Sequence, residues 1–190
     1  MINMWTLRGT AIVLFCLWLF LDGAVVFRRK TGKSKNRDRF SLLAIMLGNM
    51  LAWATGIYLA YTPYGAIRPS LLVQVAGLII MGIGILVRSI AIAQLGRYHT
   101  PNVAVLADHR VVDSGFYHYV RHPSYLGALI AFLGWSLALG NWLSLLIIMG
   151  LAVAVYLYRI HEEEAALTAA LGEKYRDYCR RTKRLIPGIY

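Results

Sequence analysis

Two short stretches of this sequence hold residue types and spacings that could do chemistry. The first is 115–127, read as Gly-Phe-Tyr-His-Tyr-Val-Arg-His-Pro-Ser-Tyr-Leu-Gly. It is the densest polar and aromatic cluster in the chain. Pro123 fits the first turn of a helix, where its missing N–H would have no partner anyway. The residue before a proline is pushed toward an extended conformation. His122 is thereby placed at a helix start, beside backbone N–H groups that favour an anionic ligand. The plainer reading is an interfacial belt of Arg, Tyr and His at a membrane surface. The second stretch is Arg159-Ile160-His161-Glu162-Glu163-Glu164. Three successive carboxylates repel one another, although acids at a helix start complement its dipole. Arg159 lies four residues before Glu163, on one helical face. An arginine there can hold a carboxylate, and a glutamate there can hold an ammonium or sugar hydroxyls.

Metal chemistry is not expected. His118 and His122 are four apart, but the second sits at a proline junction and no third ligand is near in sequence. Met81-Gly82-Ile83-Gly84 begins like a dinucleotide fingerprint, then lacks the third glycine and lies in an apolar run rather than after a strand. Helix packing through small residues explains it better. Cys16 lies in an apolar run and Cys179 in a polar tail, so no disulfide is expected.

Lipid is the medium that positions these stretches. Of 190 residues, 58% are hydrophobic and only 15% charged, against about 25% charged in a soluble domain. Five apolar segments, 10–27, 41–61, 70–95, 124–139 and 142–158, reach or approach the roughly 20 residues of a spanning helix. The fold expected is all-α: a polytopic membrane protein of about five transmembrane helices. It ends in a C-terminal helical hairpin, because only Gly140-Asn141 separates the last two segments. The segment 10–27 is followed by Arg28-Arg29-Lys30 rather than a small-residue cleavage site, so it is read as the first membrane helix, not a signal peptide.

Charge sets the orientation. Arg28, Arg29, Lys30, Lys33, Lys35, Arg37 and Arg39 follow the first segment. Arg97, Arg110 and Arg121 follow the third, and Arg159, Lys174, Arg176, Arg180, Arg181, Lys183 and Arg184 follow the fifth. Five crossings put all of these on one side, and Arg8 and Arg68 on the other. The N-terminus is expected outside and the C-terminus in the cytoplasm. The loop 96–123 and the tail helix 162–184 then share the cytoplasmic face. The net charge of +11 lies in these loops, so no nucleic acid partner is expected. One domain, 1–190, is expected, with three N-terminal helices over 10–95 and a cofactor-binding and catalytic region over 96–190. Asp22 is an acid inside the first helix. Such residues are functional by default, although snorkelling toward Arg28 or Arg29 would also explain it.

The two stretches together resemble the isoprenylcysteine carboxyl methyltransferase family and the wider group of membrane phospholipid methyltransferases. The pattern runs through His109, Gly115, Tyr117, Arg121, His122, Pro123, Tyr125 and Gly127. Glu163, Glu164, Leu167, Gly172, Tyr175 and Tyr178 follow, and the chain closes with Arg184-Leu185-Ile186-Pro187. The match covers roughly 96 to the end. Val111 stands where the family usually has Leu.

The resemblance implies an S-adenosyl-L-methionine site between the loop and the tail helix, contacted by Asn102, His109, Val111, Val112, Tyr117, His122, Ser124, Tyr125 and Glu163. It implies Arg159 and Glu163 as catalytic residues, with Arg159 binding substrate. The partners implied are membrane lipids and a lipophilic substrate such as a prenylated cysteine or a prenylated protein C-terminus. The chemistry is consistent with this. Tyr117 and Tyr125 could offer ring faces to a sulfonium, each worth about 0.5–2 kcal/mol. Glu163 suits the ammonium or ribose, and the helix start at His122 suits the carboxylate. Arg159 favours O-methylation of an acid over N-methylation of a phospholipid amine. A nicotinamide-dependent membrane reductase and a non-enzymatic membrane protein are the remaining alternatives.

Overall fold

The computed structural model describes residues 4–28, 39–67, 71–99 and 110–190. Six α-helices lie among them: α1 (Met4–Arg28), α2 (Arg39–Ala60), α3 (Leu71–Leu95), α4 (Pro123–Leu139), α5 (Trp142–Leu171) and α6 (Glu173–Arg181). Two 3-10 turns, Gly96–Tyr98 and Gly115–His118, flank the segment between α3 and α4. No strand occurs among the described residues. Helix is what lipid imposes, because a backbone there must satisfy its own hydrogen bonds. Among the described residues, three stretches are long and apolar enough to cross a membrane: Trp5–Ala24, Leu71–Tyr98 and Trp142–Leu171. The apolar α4 is shorter, at 17 residues.

Helices α3 and α4 approach most closely, through glycine on both sides. A Cβ on Gly77 would lie 2.5 Å from the Ala138 nitrogen, and one on Gly84 would lie 2.6 Å from the Gly127 carbonyl oxygen. Gly127 and Gly134 face back onto the α3 backbone at Arg88 and Met81. Small residues let backbones touch where no hydrophobic effect drives association. The expected packing role of the Gly82–Gly84 pair thus divides. Gly84 is in the contact, whereas Gly82 has open space around it.

An aromatic core joins α1, α2, α4 and α5. Phe15 stacks on Trp135 with ring centroids 3.7 Å apart, and Trp18, Trp53 and Phe132 surround the pair. The α4–α5 joint is the expected two-residue hairpin. Gly140 takes φ 66°, and the Asn141 side chain accepts from the Ser144 N–H at 3.0 Å. Asn141 Nδ2 donates to the carbonyls of Leu59 and Tyr64, and Ser144 Oγ to that of Gly56. These bonds fasten the hairpin to α2.

The tail departs from expectation. Glu162, Glu163 and Glu164 do not start a separate helix, because α5 runs unbroken through them to Leu171. Gly172, at φ 58°, ends it, and α6 follows. Two turns of α5 beyond the apolar stretch carry the carboxylates out on the same rigid rod that bears Arg159.

Candidate active site

The 3-10 turn Gly115–His118 depends on Gly115 at φ 59°, where a Cβ would strike the Gln94 side chain. Gln94 Oε1 instead accepts the Phe116 N–H at 3.0 Å. Helix α4 then starts at Pro123, with His122 as its N-cap. The C-terminal segment runs beside this start. Arg121 N–H donates to the Lys183 carbonyl at 2.7 Å, and His122 N–H to that of Arg184 at 3.0 Å. The Tyr125 N–H turns back to the His122 carbonyl. Two of the N–H groups expected to serve an anion are therefore already engaged.

The adjacent glutamates separate in function by the partners they meet. Glu164 Oε1 accepts from Arg121 Nε at 2.8 Å, and Glu164 Oε2 from Arg184 at 2.9 and 3.0 Å. His122 Nε2 lies 3.4 Å from the same carboxylate. Arg121 Nη1 also reaches the carbonyls of Cys179 and Thr182. The Glu164 hydrogen bonds hold the Arg184 guanidinium more firmly protonated than usual. Glu164 is the fastener that locks α5 and the tail to the start of α4. The family pattern contains both glutamates, yet only Glu163 was expected at the site.

Glu163 faces the other way. Its Oε2 accepts the Tyr125 hydroxyl at 2.7 Å and lies 3.9 Å from His122 Nδ1. The His122 and Tyr125 rings stack with 3° between planes and 5.4 Å between centroids, and Tyr156 packs on Tyr125 at 5.0 Å. Arg159, one turn before Glu163, is buried at 8% exposure and approaches the same Tyr125 hydroxyl. A cation, a carboxylate and a phenol thus meet at one point, where the first turn of α4 packs against α5.

Tyr117 is 5% exposed and its hydroxyl makes no clear hydrogen bond, with Ser124 within reach. Burial pushes this phenol above its ordinary range. A buried polar atom without a partner is costly, so the Tyr117 hydroxyl suits a ligand atom. The turn that carries it is held by Tyr178, whose hydroxyl donates to the Tyr117 carbonyl at 2.6 Å.

Of the residues expected at the site, Tyr117, His122, Ser124, Tyr125, Arg159 and Glu163 come together around the start of α4. Val111 and Val112 are half-buried in the segment that leads to the turn. Asn102 and His109 lie outside the described residues. Arg121, Glu164, Arg184, Tyr156 and Arg88 were not expected to shape the site. Asp22 pairs with Arg88 of α3, at 2.7 and 2.8 Å; the Arg28 side chain and Arg29, toward which it could also snorkel, lie outside the described residues. Periodicity places both residues in apolar helices but cannot show that they face each other.

Comparison with known proteins follows the same region. The model of the isoprenylcysteine carboxyl methyltransferase family matches residues 75–169, half of the chain. The protein-S-isoprenylcysteine O-methyltransferase of Schizosaccharomyces pombe is 36% identical over 118 residues, covering 61% of this chain and 50% of that one. The methanethiol S-methyltransferase of Mycobacterium tuberculosis is 41% identical over 71 residues, covering 37% of this chain and 28% of that one. The chain spans about half the length of the first curated relatives it matches. A solved structure of the eukaryotic intramembrane Ras methyltransferase ICMT superposes with a TM-score of 0.69 at 24% identity, over 98% of this chain and 67% of that one. Fold, motif positions and sequence agree that the chain belongs to the isoprenylcysteine carboxyl methyltransferase family.

Proposed function

We propose that this protein is an S-adenosylmethionine-dependent O-methyltransferase. It acts at the cytoplasmic membrane face on the carboxylate of a prenylated cysteine or a similar lipophilic acid. The observation that carries the reading is the meeting of buried Arg159 with the Tyr125–Glu163 bond. The cofactor, when bound, would supply a methyl group: the carboxylate O–CH3 bond forms as the S–CH3 bond breaks, giving a methyl ester and neutral S-adenosylhomocysteine as leaving group. Tyr117, His122, Ser124, Tyr125 and Glu163 are the residues that would hold it, and the buried Tyr117 hydroxyl has capacity for a further hydrogen bond to a ligand atom. An acid substrate is already ionised at neutral pH and needs no general base, so alignment accounts for most of the acceleration. Arg159 would present its planar fork to both carboxylate oxygens. The stacked His122 and Tyr125 rings would wall the site.

The wider architecture proposed is one domain of five crossings, N-terminus outside and C-terminus cytoplasmic. The M. tuberculosis relative, by name, methylates a thiol, so the acceptors of this chain's relatives are not all acids. Calorimetry in detergent with S-adenosylhomocysteine against NADPH tests the cofactor class. Radiolabelled methyl transfer to a farnesylcysteine analogue against phosphatidylethanolamine tests the acceptor. Binding of S-adenosylhomocysteine with transfer to the acid is expected. NADPH binding alone, or transfer to the amine lipid alone, would overturn the reading.

A further inference from the structure

Asp22 and Arg88 form an ion pair inside the helical bundle that the proposed chemistry does not use. Arg88 donates from Nε and Nη2 to the two Asp22 oxygens at 2.8 and 2.7 Å. The side chains are only 11% and 21% exposed. Arg88 Nη1 reaches onward to the Ser124 carbonyl at 3.2 Å, in the first turn of α4. The guanidinium also lies within electrostatic reach of Tyr125 and Tyr156. On its other side Asp22 borders an apolar cavity of about 450 Å³ between α1 and α3, lined by Leu14, Leu17, Leu78 and Ile85.

A buried pair is weak evidence for stability, since apolar replacements often match it. Its position suggests another purpose. Arg159 and Arg88 bring two positive charges toward Tyr125, and Glu163 brings one negative charge to its hydroxyl. Without Asp22 the surroundings of Tyr125 would carry a net positive charge, and arginine cannot shed its proton to relieve it. We infer that Asp22 is a positioning and charge-balancing residue. It fixes Arg88 against the Ser124 carbonyl and cancels its charge, so that the site admits a cationic ligand beside Tyr125. The inference rests on the cofactor reading above and extends it to two residues outside the family pattern.

S-adenosylmethionine and S-adenosylhomocysteine differ by a methyl group and by one positive charge at the reacting sulfur, so the ratio of their affinities isolates the electrostatic part. Both would be titrated into wild type, Asp22→Asn, Arg88→Met and the double variant in detergent. At about 10 Å and an effective dielectric of about 20, an uncompensated Arg88 should weaken the sulfonium ligand on the order of tenfold relative to the neutral one. Asp22→Asn is expected to show that loss. Arg88→Met should not, because a lone buried carboxylate takes up a proton. The double variant should restore the wild-type ratio. If Asp22→Asn does not fold, Asp22→Ser, which leaves room for water beside the guanidinium, replaces it. Equal weakening of both ligands, or an unchanged ratio in a folded Asp22 variant, would overturn the inference. Wild type binding neither ligand would instead overturn the cofactor reading, and this inference with it.

Discussion

The Tyr125 hydroxyl donates to Glu163 across 2.7 Å, and this bond ties the first turn of α4 to the polar extension of α5. Both residues are on the proposed cofactor surface. Glu163→Ala should weaken S-adenosylhomocysteine binding by about 1.5–3 kcal/mol, the usual cost of losing a charged hydrogen-bond partner. Tyr117→Ala should weaken it too, with the fold retained. Calorimetry checks both. Unchanged affinity in both folded variants would move the site elsewhere.

Glu164 should behave differently from its neighbour. Glu164→Ala leaves Arg121 and Arg184 without their carboxylate. Breaking a buried pair by removing one member typically costs about 3–5 kcal/mol, and the residual exposure here places the expected loss toward the lower end. Thermal unfolding in detergent should show a clear drop for Glu164→Ala and little change for Glu163→Ala. Equal unfolding temperatures for the two variants would contradict the division of roles.

The glycine contact between α3 and α4 gives a stability test away from the site. Gly84→Leu should destabilise strongly, since its Cβ alone would fall on α4 backbone. Gly82→Ala should be neutral or stabilising, because space is open there and alanine favours helix by about 0.5–1 kcal/mol. Thermal unfolding of the two variants decides. A tolerated Gly84→Leu would mean that α3 and α4 are not in backbone contact.

The proposed five crossings predict opposite sides for reporters fused after Tyr190 and within 62–69. Reporters on the same side would overturn the orientation derived from the Lys and Arg distribution.

Much of this was readable in the residues. Apolar run lengths located α1, α2, α3, α4 and α5, and the two-residue Gly140-Asn141 joint fixed the hairpin. Pro123 marked the start of α4. What sequence could not supply was which side chains face across helices. The Asp22–Arg88 pair spans 66 positions and two apolar helices with no pattern to announce it. The opposed aims of Glu163 and Glu164 follow from helical rotation, about 100° per residue, once α5 is known to continue through them. The three carboxylates were read as the start of a helix because acids there are favourable. The apolar core of α5 simply carries the helix onward to Gly172.

Arg159 tests the central claim most directly. It is buried beside the Tyr125 hydroxyl, one turn before Glu163. If it clamps a substrate carboxylate, Arg159→Ala should nearly abolish methyl transfer to a farnesylcysteine analogue while largely retaining S-adenosylhomocysteine affinity. Arg159→Lys should rescue poorly, because it keeps the charge and loses the planar fork. Radiolabelled transfer by wild type and both variants is the measurement. Full activity of Arg159→Ala on the carboxylate acceptor would contradict the claim.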